Sequence, residues 1–135
     1  MTQEHKDLLI KDLCARLPYG VVIEHCSGIR GTLHDLFVHW FYDENDTMHN
    51  REASTSTFFG DADCDISKFK PYLFPLSSMT EEKRKEFDTT LKYLPAEEID
   101  IWTLNTYDWC DKNHFDYRGL IKKGLAIDAT NLNIY

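Results

Sequence analysis

The segment 69–82 constrains the fold of this chain more than any other stretch of its sequence. It places Pro71 and Pro75 among aromatic and aliphatic residues and ends in Ser78-Met79-Thr80-Glu81. Each proline fixes a backbone torsion and lacks an amide donor, so an extended segment from Ile66 to Leu76 is expected at a sheet edge or in irregular structure. A serine with a glutamate three residues later predicts a helix N-terminus with Ser78 as its N-cap.

The N-terminal part of the chain predicts one amphipathic helix from Thr2 to Leu17. Thr2 is a suitable N-cap, and Pro18-Tyr19-Gly20 marks the end of the helix because proline disfavours helical geometry in the residue before it. Leucines at helical spacing form the stripe that would face the core, at positions Leu8, Leu9, Leu13 and Leu17.

Three strands are expected after this helix. Val21-Val22-Ile23 is short and β-branched, and Ser27-Gly28 offers a turn. A longer strand is predicted from Ile29 to Tyr42, where the second half is almost continuously apolar. The polar run 43–52 reads as an exposed loop, and a third strand is predicted from Ser54 to Phe59.

The C-terminal half is predominantly helical by pattern. The helix that begins at Ser78 is expected to end at Leu91 or Leu94, before Pro95, and a second is predicted from Asn105 or Thr106 to Asn113. A short helix from Arg118 to Lys123 and an extended piece, 125–127, follow. Together these elements predict an α+β fold: an N-terminal helix, an antiparallel sheet of three to four strands, and C-terminal helices packed on one face, in a single domain, 1–135.

The charge balance argues against nucleic acid as a partner. The 135 residues carry a formal net charge of −8, and a phosphate-backbone footprint needs clustered Lys and Arg. The apolar fraction of 42% is enough for a packed core, and no stretch is long and apolar enough to span a membrane. We find no signal-peptide pattern, and the four cysteines are irregularly spaced, so a cytoplasmic protein with free thiols is expected.

Three segments together carry a resemblance. They are the run KPYLFPLSSMTEE (70–82), the run NHFDYRGLI (113–121) with Asp108-Trp109 before it and Gly124-Leu125-Ala126 after it, and the run DLCARLPYGV (12–21). The chain resembles a group of short uncharacterised proteins of gut bacteria and of their phages and mobile elements. This resemblance implies a cytosolic protein encoded by a bacterium or its virus, and it brings no activity, cofactor or partner with it.

Two groups of residues are candidate metal ligands. Cys110 and His114 lie one turn apart on the predicted helix, but zinc needs two further ligands, and no second pair at ligand spacing occurs. Asp61, Asp63 and Asp65 alternate as at the start of a calcium loop, but Ile66 and Tyr72 replace the glycine and glutamate that such a loop requires. We therefore expect neither a metal nor a cofactor.

Catalytic and basic patterns are equally weak. Cys26 beside His25 suggests a nucleophile with a base, but nothing in the sequence brings Cys26 next to Asp35 or His39. The basic run Lys83-Arg84-Lys85 alternates with glutamates, as on a solvated helix face.

Four residues form the preferred functional candidate, a protein-interaction patch of Tyr72, Phe74, Tyr117 and Arg118. Aromatic and arginine side chains dominate interface hot spots, and a proline-fixed segment presents them with little ordering entropy to lose. This reading requires the 69–82 segment and the Tyr117-Arg118-Gly119 turn to meet in space. Its competitor is structural: Tyr72 and Phe74 would pack under the helix that begins at Ser78.

The predicted function is thus a non-enzymatic interaction module of a bacterium or phage, with an unknown protein partner or a second copy of the chain. Two alternatives stay open. One is a small metal-assisted enzyme that uses His and Asp side chains. The other is an acidic viral inhibitor of a host defence protein, which would bind a basic surface.

Overall fold

The α+β fold is confirmed by a computed structural model, which describes residues 1–42, 48–55, 64–92 and 99–135. Side chains are described outside 37–64 and 90–105. The helices are α1 (Gln3–Arg16), α2 (Glu81–Lys92) and α3 (Ile99–Lys112). The strands are β1 (Val22–His25), β2 (Arg30–Thr32), β3 (Phe37–Tyr42), β4 (Met48–Thr55), β5 (Cys64–Asp65), β6 (Phe69–Pro75), β7 (Phe115–Asp116) and β8 (Ile127–Asp128).

The strands form two sheets within the described residues. In the first, β1 lies between β2 and β6 and pairs with both in antiparallel fashion. Strand β6 also pairs in parallel with the short strands β7 and β8. The second sheet is antiparallel, in the order β3-β4-β5. The sheets are therefore mostly antiparallel, as expected, and the parallel pairs bring the C-terminal part of the chain onto β6.

Helix α1 begins and ends where the sequence predicts. The Thr2 side chain accepts a hydrogen bond from the backbone N–H of His5 at 3.1 Å and so caps the helix. After Arg16 the chain makes one 3-10 turn, Leu17–Tyr19, and Gly20 then takes the left-handed conformation at φ 68°. Glycine adopts that conformation without steric cost, which explains the sharp stop.

The long strand predicted from Ile29 to Tyr42 is wrong, because two strands in different sheets occupy that range. β2 pairs with β1 in the first sheet, whereas β3 pairs with β4 in the second, so the chain leaves one sheet for the other between Thr32 and Phe37. The predicted loop 43–52 is also corrected, since Met48–Thr55 is strand β4. Residues 56–59 of the predicted third strand lie outside the described residues.

Strand β6 is central and not an edge strand, contrary to the expectation from its prolines. Cys26 donates its backbone N–H to the carbonyl of Lys68 at 2.9 Å, and Ile23 lies opposite Pro71 in the same ladder. Hydrogen-bonded and non-hydrogen-bonded pairs alternate in an antiparallel ladder, which makes Ile23 and Pro71 a non-hydrogen-bonded pair. The backbone nitrogen of Pro71 is therefore not needed as a donor in the ladder with β1, and proline is tolerated there.

Three helix predictions need correction. Thr80, not Ser78, caps α2, because its hydroxyl accepts from Lys83 N at 3.2 Å, whereas Ser78 lies in a 3-10 turn and donates to the carbonyl of Pro75 at 2.7 Å. Helix α3 begins at Ile99, whereas the sequence predicts its start at Asn105 or Thr106.

The range 118–123, for which the sequence predicts a short helix, is a turn. Asp116 holds this turn, since its carboxylate accepts from the backbone N–H groups of Leu120 and Ile121, both at 2.9 Å.

The main core joins α1 to the first sheet and to the C-terminal turn. Its centre consists of fully buried apolar side chains: Leu9, Leu13, Val21, Ile23, Phe69, Leu73 and Leu120. A second, aromatic cluster lies where α3 meets β7, and in it the rings of Trp109 and Phe115 stack with centroids 5.6 Å apart. The candidate site lies between these two clusters, because residues of α1 and α3 meet there.

Candidate functional site

Two carboxylates and two guanidinium groups lie together where α1, α3 and the turn after β7 meet. We call these residues, Asp12, Arg16, Asp111 and Arg118, the charge cluster. Helix geometry places Asp12 and Arg16 one turn apart on the inner face of α1, and both are fully buried. Asp111 comes from the last turn of α3. Arg118 is the most accessible member, with 14% of its side chain exposed.

Arg16 is the centre of this cluster. Its Nε donates to Asp12 Oδ2 at 2.8 Å, and its Nη2 donates to the carbonyl of Phe115 at 2.7 Å. The same Nη2 lies 3.7 Å from Asp111 Oδ1. A buried guanidinium is tolerated only when its donors are satisfied, and here carboxylate and backbone oxygens satisfy them. Arg16 thereby ties α1 to α3 and to β7.

Arg118 is held by the same carboxylates. Its Nη1 donates to Asp12 Oδ1 at 2.7 Å and to Asp111 Oδ1 at 3.3 Å. Burial by itself would lower the pKa of Arg118, but the carboxylates of Asp12 and Asp111 outweigh that effect and raise it, so the group keeps its charge. Its guanidinium also lies over the ring of Tyr117, 4.3 Å from the centroid.

Tyr117 links the charge cluster to the surface. Its hydroxyl donates to Asp111 Oδ1 at 3.0 Å, and burial raises the pKa of this phenol, which stays protonated. Burial likewise raises the pKa of Asp111, although Arg16 and Arg118 oppose that shift. The ring of Tyr107 stacks on that of Tyr117 with centroids 4.8 Å apart, and Tyr107 is 45% exposed.

A groove runs along α1 above these groups. One cavity of about 340 Å³ is lined by Leu8, Lys11, Tyr107, Tyr117 and Arg118. A second, of about 520 Å³, shares Leu8 and Lys11 and continues past His5, Ile10 and Cys14 to Lys123. We call the two cavities together the α1 groove. Cavities of this size accept a few side chains of a partner or a small ligand.

The structure divides the four residues of the predicted interaction patch. Tyr117 and Arg118 line the α1 groove. Tyr72 is 1% exposed, with the Arg30 guanidinium 5.2 Å from its ring centroid, so its ring belongs to the core. Phe74 is half-buried, packs against Phe115 with ring centroids 6.0 Å apart, and lines a separate cavity of about 180 Å³.

The two segments that carry these residues do meet. Strand β6 pairs with β7 in the register Phe74 to Phe115 and Pro75 to Asp116, directly before Tyr117 and Arg118. The proline segment therefore supports the turn that presents Arg118.

Of the pair Cys110 and His114, Cys110 is buried in the second cluster and His114 is half-buried. Burial raises the pKa of the Cys110 thiol to about 11 and lowers the pKa of His114 to about 4. The His114 ring stacks on Tyr135 with centroids 3.7 Å apart. No group of three metal-ligating side chains occurs among the residues that the structure describes.

The acidic run lies only partly within the described residues. Asp61 and Asp63 fall outside them. Asp65 is described, and its carboxylate accepts from the backbone N–H of Ser67 at 2.8 Å and from the Ser67 hydroxyl. Asp65 thus caps the 3-10 turn Ile66–Lys68.

The proposed nucleophile Cys26 is exposed and lies against its neighbour in the chain. Its Sγ is 3.8 Å from Nε2 and 3.9 Å from Nδ1 of His25, and Nδ1 also contacts the Ser27 hydroxyl at 2.8 Å. The side chain of His39 lies outside the described side chains. Of the basic run, Lys83 donates to the side chain of Asn113 at 2.9 Å and lies 3.4 Å from Glu86.

Sequence reasoning identified Tyr117 and Arg118 and missed the rest of the site. It treated Asp12 and Arg16 as part of the helical pattern only, and it did not single out Lys11, Tyr107 or Asp111. One signal was available: Asp12 and Arg16 lie four residues apart, next to the leucine stripe of α1, where a complementary pair can be buried.

Comparison with protein-family models, with curated proteins and with solved structures finds no match for this chain. None of the helices in the described ranges is long and apolar enough to cross a membrane. The site therefore has to be interpreted from its own geometry.

Proposed function

We propose that this protein is a non-enzymatic interaction module that binds a segment of a partner protein in the α1 groove. The partner is a protein in the cytoplasm of a bacterium, and the module is encoded by the bacterium or its phage, as the resemblance implies. The observation that carries the proposal is the stack of Tyr107, Tyr117 and Arg118 at the edge of a cavity.

This stack has the composition and the rigidity of an interface hot spot. Tyrosine and arginine are the residues most often found to dominate binding energy, because each offers a large contact area together with a polar group. Arg118 and Tyr117 are both anchored to Asp111, and Arg118 also to Asp12, so neither side chain has much freedom left to lose on binding.

The groove also specifies the chemistry of the segment that it would bind. Leu8 and Ile10 contribute its apolar surface and Lys11 and Lys123 its positive charges, and Glu4 and Asp7 line the larger cavity. Neither lysine forms an ion pair with any residue that the structure describes. Because Lys11 and Arg118 line the smaller cavity and no acidic residue does, we take the bound segment to place an acidic residue there, next to an apolar or aromatic one.

A displayed library of random peptides tests this proposal without a known partner. Peptides selected on the wild-type protein should be enriched in an acidic residue next to an apolar one. Tyr107→Ala and Lys11→Glu should each weaken their binding by about tenfold, the effect of losing one hot-spot contact.

The matched controls are Leu132→Ala, which shortens another exposed apolar side chain, and Lys70→Glu, which reverses an exposed charge on β6. Both controls should bind the peptides as wild type does. A library that yields no binder, or binders that tolerate both groove variants, would contradict the proposal.

A further inference from the structure

We infer that Arg118 and Lys11 form a binding site for an oxyanion, a carboxylate or phosphate group, in the cavity of about 340 Å³ that both residues line. The identification of the ligand as an acidic group of the partner rests on the proposed function. Anion binding itself can be measured without any partner.

The Arg118 guanidinium bonds to the charge cluster through one nitrogen. Its Nη1 makes both contacts with the charge cluster, to Asp12 and to Asp111. The Nε and Nη2 groups donate no hydrogen bond to a described residue, and since neither is among the fully buried atoms that lack a partner, both are accessible to solvent. These two nitrogens form the edge of a guanidinium that donates two parallel hydrogen bonds to two oxygens of one anion. The edge that matches an oxyanion is thus the edge left unused.

The charge around the cavity also favours an anion. The charge cluster holds two arginines and two aspartates, so its formal charges cancel. Lys11 lines the same cavity and forms no ion pair with a described residue, which leaves one uncompensated positive charge there. A positive charge at this place would favour an anion over a neutral ligand.

The Arg118 guanidinium is preorganised for binding. Only 14% of the Arg118 side chain is exposed, and the Tyr117 ring supports one face of its guanidinium at 4.3 Å. A cation that is held in place and partly shielded from water binds an anion more strongly than a mobile surface lysine does. The anion would complete the coordination of Arg118 on the side opposite the two aspartates.

The test is a titration followed by NMR of the arginine Nε–Hε groups in ¹⁵N-labelled protein. Sodium phosphate and sodium acetate are the probes, with sodium chloride used to hold the ionic strength constant. The Arg118 resonance should shift and saturate. Arg30, whose Nε is already bonded to Glu24 at 3.1 Å and whose side chain is 56% exposed, provides the internal control and should not saturate.

Two variants separate charge from geometry. Lys11→Gln removes the free cation and should weaken anion binding by about fivefold, the value of one exposed charge interaction of about 1 kcal/mol. Arg118→Lys keeps the charge but loses the edge with two donors, so it should bind the anion more weakly than Lys11→Gln does. Circular dichroism first shows whether this variant is folded, and the backbone amide resonance of residue 118 then reports its anion binding. An Arg118 resonance that follows Arg30 without saturating, or unchanged affinity in Lys11→Gln, would overturn the inference.

The library peptides distinguish this inference from the proposed function. Replacing their acidic residue by glutamine should abolish the shift at Arg118, and phosphoserine at that place shows whether the site prefers phosphate to carboxylate. If the glutamine peptides bind the α1 groove as tightly as the originals, the oxyanion site is wrong and the interaction function stands. If phosphate and acetate saturate Arg118 but no peptide is selected, the oxyanion site stands and the interaction function is wrong.

Discussion

Replacing Arg16 by methionine tests whether the charge cluster holds the fold together. Methionine replaces the apolar stem of arginine and has no donors, so Arg16→Met removes the guanidinium and keeps most of the apolar contacts of the stem. The Asp12 Oδ2 oxygen and the Phe115 carbonyl then lose the donors that lie 2.8 and 2.7 Å from them. Asp12 keeps its contact with Arg118, but it remains a fully buried carboxylate with one partner in place of two.

The size of the effect follows from burial. Removing one member of a buried ion pair typically costs about 3 to 5 kcal/mol, because an uncompensated charge stays behind. The total stability of a domain of this size is about 5 to 15 kcal/mol, so a large part of it would be lost. With a urea dependence of about 2 kcal/mol per molar, the unfolding midpoint should fall by about 2 M.

Urea denaturation followed by circular dichroism measures this change. Arg84→Met is the matched control, since Arg84 is an exposed residue of α2 without an ion pair to any described residue, and its replacement should change stability by less than about 0.5 kcal/mol. If Arg16→Met lost no more stability than Arg84→Met, the charge cluster would not be a structural link between α1 and α3.

Two further predictions concern the C-terminal part of the chain. The Tyr135 hydroxyl accepts a hydrogen bond from Val22 N at 3.0 Å and donates one to the carbonyl of Tyr72 at 2.7 Å, so Tyr135→Phe should lower the free energy of unfolding in urea by about 1 to 3 kcal/mol. The Tyr107 hydroxyl has no described partner, so Tyr107→Phe is the control and should leave the stability almost unchanged. Equal stability of the two variants would refute this role of Tyr135. Burial holds the pKa of His114 at about 4, below the ordinary value of about 6.5, so the unfolded state binds more protons between these pH values and stability falls as the pH falls through that window. Asparagine tolerates the φ of 63° at this position and does not titrate, so His114→Asn is the comparison variant. Between pH 7 and pH 4, the free energy of unfolding of the wild type should fall by about 2 to 3 kcal/mol more than that of the variant. Parallel pH profiles of stability for the two proteins would contradict the assignment.

The local elements of this fold could be predicted where a few neighbouring residues decide the backbone. Thr2 caps α1 and Gly20 ends the turn after it, because both act through chemistry within a few positions of themselves. The α+β class follows from the same local signals. Local signals were misleading where the position of a strand depended on a distant partner. Pro71 predicted an edge strand, but β6 is central, and the ladder with β1 does not use an N–H at the position of Pro71.

The candidate site depends on contacts that no short window of the sequence contains. By residue type alone, Asp12 and Arg16 belong on the solvent face of α1, and they are buried because Phe115 and Arg118, about a hundred positions further along the chain, supply the acceptor and the donor that compensate their charges. The sequence identified Tyr117 and Arg118 as candidate contact residues, but it predicted a helix over 118–123, where the structure has a turn. Only the tertiary structure decided that they line a groove beside α1, since a buried charge is stable only where its partners are brought to it in space.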